Sequence, residues 1–428
     1  MTSLTWICLM TKRTTKIDPL AYPVRKELWR RITIIVLAAI LAGSLYVRAV
    51  RAQAGVISAS AQYTFGEEIV FRGVIPTGIP VESATLFFVA EGELQTHTGA
   101  ATWDERGQLL YIADLTQSPI RAFSTVVYWF EVTKKGGGEL KSERGAFYYE
   151  DNRFDWQARE SKDFRVHWYE GDTAFAQSLL DVAELGLANI QVILPLKLNS
   201  PVDIYAYASA EEMRATLQHL GKSWVGAHTD PDLGVMVVSL PRGPEQRLEM
   251  ERQIPHELMH LMLYQRLGAG YGNIPIWLNE GLASIAELYP NPDYLILLNK
   301  AVKEDNMLPM ASLCETFPRD ASGAFLAYAE ATSFTRFLYQ QYGTAGLESL
   351  ARAYADGLSC ERGVQIALDR TLTQLERQWR QQAFREDALL TALTNLSPWI
   401  VILALVLIFP LGLTLVGTRK NAKNGRDG

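Results

Sequence analysis

The chain has 428 residues, 48% of them hydrophobic, and a formal net charge of −6. That length and apolar content allow one large or two to three ordinary domains with real cores, which sets aside a disordered chain. So small an acidic excess gives no electrostatic reason to expect a nucleic acid as partner.

Residues 1–31 are polar and basic, closing with Arg25, Lys26, Arg30 and Arg31, and they run into a mostly apolar stretch over 32–47. Segment 1–54 therefore reads as a cytoplasmic n-region followed by a signal peptide or signal anchor. The apolar stretch is short for a full span, and Ala52-Gln53-Ala54 offers the small side chains that signal peptidase accepts, so cleavage after Ala54 is one outcome. Arg48 and Arg51, just after the apolar run, favour the other outcome, an uncleaved anchor. Both export the rest of the chain.

Segment 55–152 reads as short strands at 85–89, 109–112, 125–132 and 146–149, separated by turn-rich pieces. Lys134-Lys135-Gly136-Gly137-Gly138 has the composition of a hairpin loop between the last two. Alternating strands at this spacing predict an immunoglobulin- or fibronectin-like sandwich. No catalytic constellation is visible in it, and His97, alone in a polar turn, reads as solvated.

From 153 to 390 the pattern mixes helix and strand. A strand is expected at 164–169, an amphipathic helix at 173–193, a strand at 202–207, and a helix at 209–219 with Ser209 as N-cap and Glu211 and Glu212 in its first turn. A further strand at 233–240 precedes a run of helices only. His167 and His219 read as ordinary strand and helix-end residues.

The first helix of that run carries His256-Glu257-Leu258-Met259-His260, and the second opens Ile276-Trp277-Leu278-Asn279-Glu280-Gly281. Residues four apart share a helix face, so two imidazoles can grip one ion while Glu257 leans toward the open coordination position. Catalytic zinc usually takes three protein ligands and a water, and Glu280 can supply the third donor. Glu257 can then take a proton from the water as it attacks a carbonyl, acting as general base. The plainer reading is a buried helix with two core histidines, since Leu258, Met259, Leu261, Met262 and Leu263 surround them. A His-Glu-His cluster in such a helix is costly, however, unless its polar groups are paired or coordinated.

Helical spacing continues at 334–339, 347–354 and 372–379. Cys314 and Cys360 fall in this region; an exported chain permits their oxidation, but spacing alone does not fix whether they pair, and Cys8 is out of reach in the first segment. Residues 399–416 carry no charge, open on Trp399 and are followed by Arg419, Lys420, Lys423 and Arg426. That pattern predicts a transmembrane helix in 398–417 with a basic cytoplasmic tail at 418–428. The expected setting is thus the cell membrane, with the lipid bilayer as a partner through the C-terminal helix and the catalytic region on the extracytoplasmic side.

H-E-L-M-H followed by W-L-N-E-G-L-A resembles the gluzincin zinc metallopeptidases of the MA clan, particularly the aminopeptidase branch and its peptidase-MA-like relatives. The resemblance is tight over 253–288 and looser over 154–385. It implies His256, His260 and Glu280 as zinc ligands, Glu257 as general base, and a peptide or protein as substrate. The spacing from His260 to Glu280 is one residue longer than usual in the aminopeptidases, an insertion that the loop Gly268-Ala269-Gly270-Tyr271-Gly272-Asn273 can absorb. Tyr328 stands where the family places a tyrosine that stabilises the oxyanion, with His228 as a competing electrophile. Glu287 is either the acid holding a ligand histidine's outer N–H or a solvated surface acid. The resemblance also implies that the strand before the metal helix, Gly234-Val235-Met236-Val237-Val238, lines the cleft and pairs with an extended substrate. Related aminopeptidases carry G-x-M-E-N there, whose glutamate holds the substrate's α-amino group; valines in that place predict internal cleavage, unless an acid such as Glu211 or Glu212 approaches the cleft.

The expected fold is therefore α+β: a zincin-like catalytic domain preceded by an all-β sandwich, with a C-terminal transmembrane helix. The expected function is a membrane-anchored zinc metallopeptidase, endopeptidase rather than aminopeptidase. The alternative is a catalytically silent peptidase-like binding or scaffold protein of the cell surface, against which Glu257 argues, because a structural zinc site needs no base.

Overall fold

Strict inside–outside alternation builds the first part of the chain. In a computed structural model, which describes residues 57–218 and 227–384 and scattered positions between 396 and 406, nine strands occupy 58–149: β1 (Ser58–Thr64), β2 (Glu68–Val74), β3 (Val81–Ala90), β4 (His97–Ala100), β5 (Thr102–Trp103), β6 (Gln108–Asp114), β7 (Ser124–Lys134), β8 (Glu139–Lys141) and β9 (Gly145–Tyr149). One sheet has the order β1-β2-β6-β5; the other runs β4-β3-β7-β8, with β9 also paired to β7. Val126, Tyr128, Phe130 and Val132 of β7 point inward and share a core with Ile69, Phe71 and Leu109 of the facing sheet. The glycine loop is a turn as expected, with Gly136, Gly137 and Gly138 all at positive φ. It joins β7 to the short β8 rather than to β9, so the hairpin holds one strand more than the sequence suggested. His97 is not solvated in a turn: it lies in β4, stacked on Phe88 at 4.8 Å and 3.0 Å from Glu93.

The following strands and helices alternate: β10 (Gln157–Glu160), β11 (Phe164–Trp168), α1 (Thr173–Ile193), β12 (Val202–Tyr207), α2 (Ala210–Gln218), β13 (Ala227–Asp230) and β14 (Val235–Ser239). Ser209 caps α2 as expected, accepting from the Glu212 N–H at 3.2 Å while its hydroxyl donates to the Glu212 carboxylate at 2.7 Å. The sheet order is β10-β11-β12-β14-β13, with β11, β12 and β14 parallel and the outer strands β10 and β13 antiparallel to their neighbours. Helices then take over: α3 (Gln246–Leu267), a 3-10 turn (Gly268–Asn273), α4 (Ile276–Ala286), α5 (Asp293–Lys303), α6 (Ala321–Ala355), α7 (Cys360–Leu368) and α8 (Leu372–Phe384). At Gly343, α6 kinks, with φ 61°. A disulfide joins Cys314 to Cys360.

Both faces of this sheet are covered, which is why its parallel strands read as nearly unbroken apolar runs. Ile204, Ala206, Met236 and Val238 face the core shared with α1, α3 and the later helices. Tyr205, Tyr207, Val235 and Val237, at the alternate positions, enter the core of the N-terminal sandwich together with Met213 and Leu217. The Tyr205 ring stacks on His167 at 4.1 Å and lies tilted against Phe123 at 4.3 Å, and its hydroxyl donates to Glu150 at 2.8 Å. Tyr205→Phe keeps both ring contacts and removes the charge-assisted bond; we expect a loss of about 1.5 kcal/mol, read from urea denaturation. An unchanged midpoint would mean that this bond does not fasten the sandwich to the sheet.

Two expectations are corrected here. The fold is mixed α/β, with N-terminal sheets and a helical C-terminal part, rather than α+β, because β11, β12 and β14 run parallel with helical connections between them. Nor is there a C-terminal transmembrane helix in it: no helix among the described residues is long and apolar enough to cross a membrane. The last long one, α8, buries only Leu372, Leu375 and Trp379. The expected span at 398–417, like segments 1–54 and 418–428, lies outside the described residues apart from scattered positions. The single C-terminal membrane anchor, and with it the membrane localisation and the bilayer as partner, is withdrawn.

Candidate metal centre

Helix α3 has a polar first half and a buried apolar middle, with Ile254, Leu258, Met259, Leu261, Met262 and Leu263 buried. It also contains Pro255, whose missing N–H leaves the Glu251 carbonyl without its helical partner. The Leu288 N–H donates to that carbonyl instead, at 2.9 Å. Pro255 thus fastens the stretch after α4 against α3, and Glu287, one residue earlier, is carried to His256. Close packing on the other side relies on Gly186 of α1, where a Cβ would come within 2.9 Å of Pro255 Cγ. Gly281 performs the same service for α4: a Cβ there would lie 2.6 Å from the Ala331 carbonyl of α6. At the start of α4, buried Trp277 donates through Nε1 to Cys360 Sγ at 3.4 Å, and the Ile276 N–H donates to the Cys314 carbonyl at 3.0 Å. The disulfide pair therefore brackets the turn that presents Glu280.

These packings bring His256, His260 and Glu280 together. Glu280 Oε2 lies 3.4 Å from His256 Nε2 and 3.7 Å from His260 Nε2, and one donor atom from each of the three falls within 4.8 Å of the others. Tetrahedral ligands 2.0–2.1 Å from a zinc ion stand about 3.3–3.4 Å apart, a spacing that the two edges at Glu280 approach. The opposite ring nitrogens are occupied. His256 Nδ1 lies 3.1 Å from buried Glu287, and His260 Nδ1 lies 3.2 Å from Asn279 Oδ1 and 3.3 Å from the Tyr271 hydroxyl. Asn279 Nδ2 in turn donates to Tyr271 at 3.1 Å. Outer partners of this kind fix the tautomer and leave Nε2 free for a metal.

The charges agree with a cation here. Burial opposes protonation of His256, yet its bonds to Glu280 and Glu287 outweigh burial and hold its pKa up to about 10. Burial likewise opposes ionisation of Glu280, but the two imidazoles and a bond from Tyr328 keep it below the usual carboxylate range. For Tyr328, burial first and the Glu280 charge second push the phenol well above its ordinary value. Tyr328, Glu257 and His228 all line one cavity of about 370 Å³ with the three donors, Tyr271, Asn279, and residues 227 and 229–231.

Other expectations fare differently. Glu287 is not a solvated surface acid: it is buried and, from just beyond the end of α4 at Ala286, reaches His256. Strand β14, expected to line the cleft, is interior, with every residue buried between β12 and β13. The cavity wall is the antiparallel edge strand β13. The valines of β14 consequently say nothing about a substrate's amino group. Glu211 and Glu212 sit on α2 and do not line the cavity. Asn279, Tyr271 and Thr229 escaped the sequence reading. Asn279 adjoins Glu280 in W-L-N-E-G, and that adjacency was its available signal. Tyr271 and Thr229 had none, because only packing brings the 3-10 turn and β13 against α3.

Residues 182–384 match the family model described as Peptidase MA superfamily. No curated protein matches the chain. Among solved structures, an aminopeptidase N family protein from Idiomarina loihiensis aligns at 8% identity and a TM-score of 0.30, over 74% of this chain and 71% of that one. A myokine structure aligns at 8% identity and 0.19, over 23% of this chain and 96% of that one. A purple acid phosphatase from yellow lupin (Lupinus luteus) seeds aligns at 8% identity and 0.20, over 44% and 35%.

Proposed function

We propose, from the premise that residues 182–384 belong to the Peptidase MA superfamily, that this chain is a zinc-dependent peptidase whose metal is held by His256, His260 and Glu280. The observation that carries this reading is the donor triangle with both outer ring nitrogens already engaged. Zinc bound there would polarise a peptide carbonyl and acidify a water. Glu257, beside His256 on the cavity face of α3, accepts the water's proton and returns it to the leaving amine. The Tyr328 hydroxyl, kept protonated by its surroundings, donates to the oxyanion that develops as the carbonyl is attacked. Asn279 and Glu287 hold the two imidazoles in place.

Internal cleavage remains the better reading of specificity, for a new reason. An aminopeptidase needs a spare carboxylate for the substrate's ammonium group. Among the described residues, the acids lining this cavity are Asp230, Glu257 and Glu280. Two of them serve the reaction, and Asp230 accepts from Arg121 at 3.2 Å.

The test loads the full chain with zinc and offers matched peptides, free and N-acetylated. About one zinc per chain and comparable cleavage of both peptides are expected, with Glu280→Gln losing most of its zinc because an amide is a poor donor. Release of single residues from the free peptide alone would make the chain an aminopeptidase. Zinc bound without cleavage of any peptide would favour a silent binding protein.

A further inference from the structure

We propose that Thr229 is a positioning residue that holds Glu257 in its working orientation, an inference that rests on reading Glu257 as the general base. Along β13 burial alternates, with Ala227 and Thr229 inside and His228 and Asp230 partly exposed, so Thr229 turns toward α3. Its hydroxyl donates to Glu257 Oε2 at 2.7 Å and lies 3.3 Å from the Glu257 carbonyl oxygen. A hydroxyl has one hydrogen to give, and the nearer, charged acceptor takes it.

The consequence is geometric. The terminal torsion of a glutamate is broad and roughly two-fold, so an untethered carboxylate samples many orientations. Fixing Oε2 leaves Oε1 as the oxygen that meets the water. Thr229 and Glu257 line the same cavity, so the base is fastened to the strand that walls it, and its aim follows the position of that strand. Valine matches threonine in shape but leaves Oε2 without its donor; serine keeps the donor.

The experiment uses the zinc-loaded full chain and an N-acetylated peptide that the unaltered protein cleaves. Thr229→Val is expected to lower kcat on the order of tenfold or more, with KM and zinc content unchanged, and Thr229→Ser to recover most of the loss. A Thr229→Val protein with full kcat, one that loses only KM or zinc, or a serine variant as poor as the valine variant would overturn the proposal. A second measurement needs neither metal nor turnover. In zinc-free protein, Thr229→Val should lower the denaturation midpoint clearly more in the unaltered chain than in a Glu257→Ala background, where the hydroxyl can turn only to the backbone carbonyl of residue 257. Equal lowering in both backgrounds would show that Thr229 does not act through Glu257. If the unaltered chain cleaved no peptide, the peptidase reading would fail, and the zinc-free comparison would still decide whether Thr229 holds Glu257.

Discussion

Glu257→Gln is expected to bind zinc as the unaltered chain does and to lose about 10²–10⁴-fold in turnover, the usual contribution of a general base. The amide has the same shape and can still accept from Thr229, so α3 and the donor triangle should be undisturbed. What disappears is the basic oxygen facing the cavity. Zinc content by atomic absorption and kcat on one peptide separate the two effects. A variant that lost its zinc would make Glu257 part of the metal site, and one with full turnover would remove it from the mechanism.

The second large effect concerns stability. Glu330, on α6, is fully buried; one carboxylate oxygen accepts from the Leu308 N–H at 2.9 Å and the other has no hydrogen-bond partner. Burial, only partly opposed by that N–H and by Arg380, pushes its pKa up from 4.5 to about 7. The folded protein thus keeps a proton that the unfolded chain gives up as pH rises from 4.5 to 7, so the contribution of Glu330 to stability falls across that window and is level on either side of it. The fall amounts to about 3 kcal/mol. Glu330→Gln still accepts from Leu308 and cannot ionise. The stability difference between the variant and the unaltered chain should therefore move by about 3 kcal/mol in the variant's favour between pH 4 and pH 8. Urea denaturation of zinc-free protein measures this, because zinc affinity has its own pH dependence. Parallel stability curves would mean that Glu330 ionises freely in the fold.

Glu330 was not legible in the sequence, where it is one acid in an alanine-rich helix. Only the packing of 308–310 and α8 over α6 seals it away from water. The same division runs through the rest of the molecule. Residues whose chemistry depends on neighbours four apart, His256, Glu257 and His260, can be read directly, because a helix fixes that spacing wherever it lies. Glu280 follows from the need for a third donor, and Ser209 from the capping preference at the start of α2. The sandwich strands follow from alternation, since a half-buried strand must alternate wherever it lies. The apolar runs of β12 and β14 show strands buried on both faces, yet not their neighbours or direction. Parallel pairing is set by crossover connections, and these place β13, not β14, at the edge beside the metal centre. The strand nearest in sequence to α3 is therefore not the strand nearest in space to the donors. Hydropathy, in turn, marked 399–416 as a span from composition alone, while the described fold contains no helix that crosses a membrane. By itself, then, the sequence determined that His256, Glu257 and His260 share one helix and one end of it, because that rests on local periodicity. Tertiary structure alone decided what holds the donors: Glu287 through the carbonyl freed by Pro255, Asn279 and Tyr271 on His260, and Thr229 on Glu257. Each of those contacts joins segments distant in the chain, and its distance is fixed only when the helices and the sheet edge pack together.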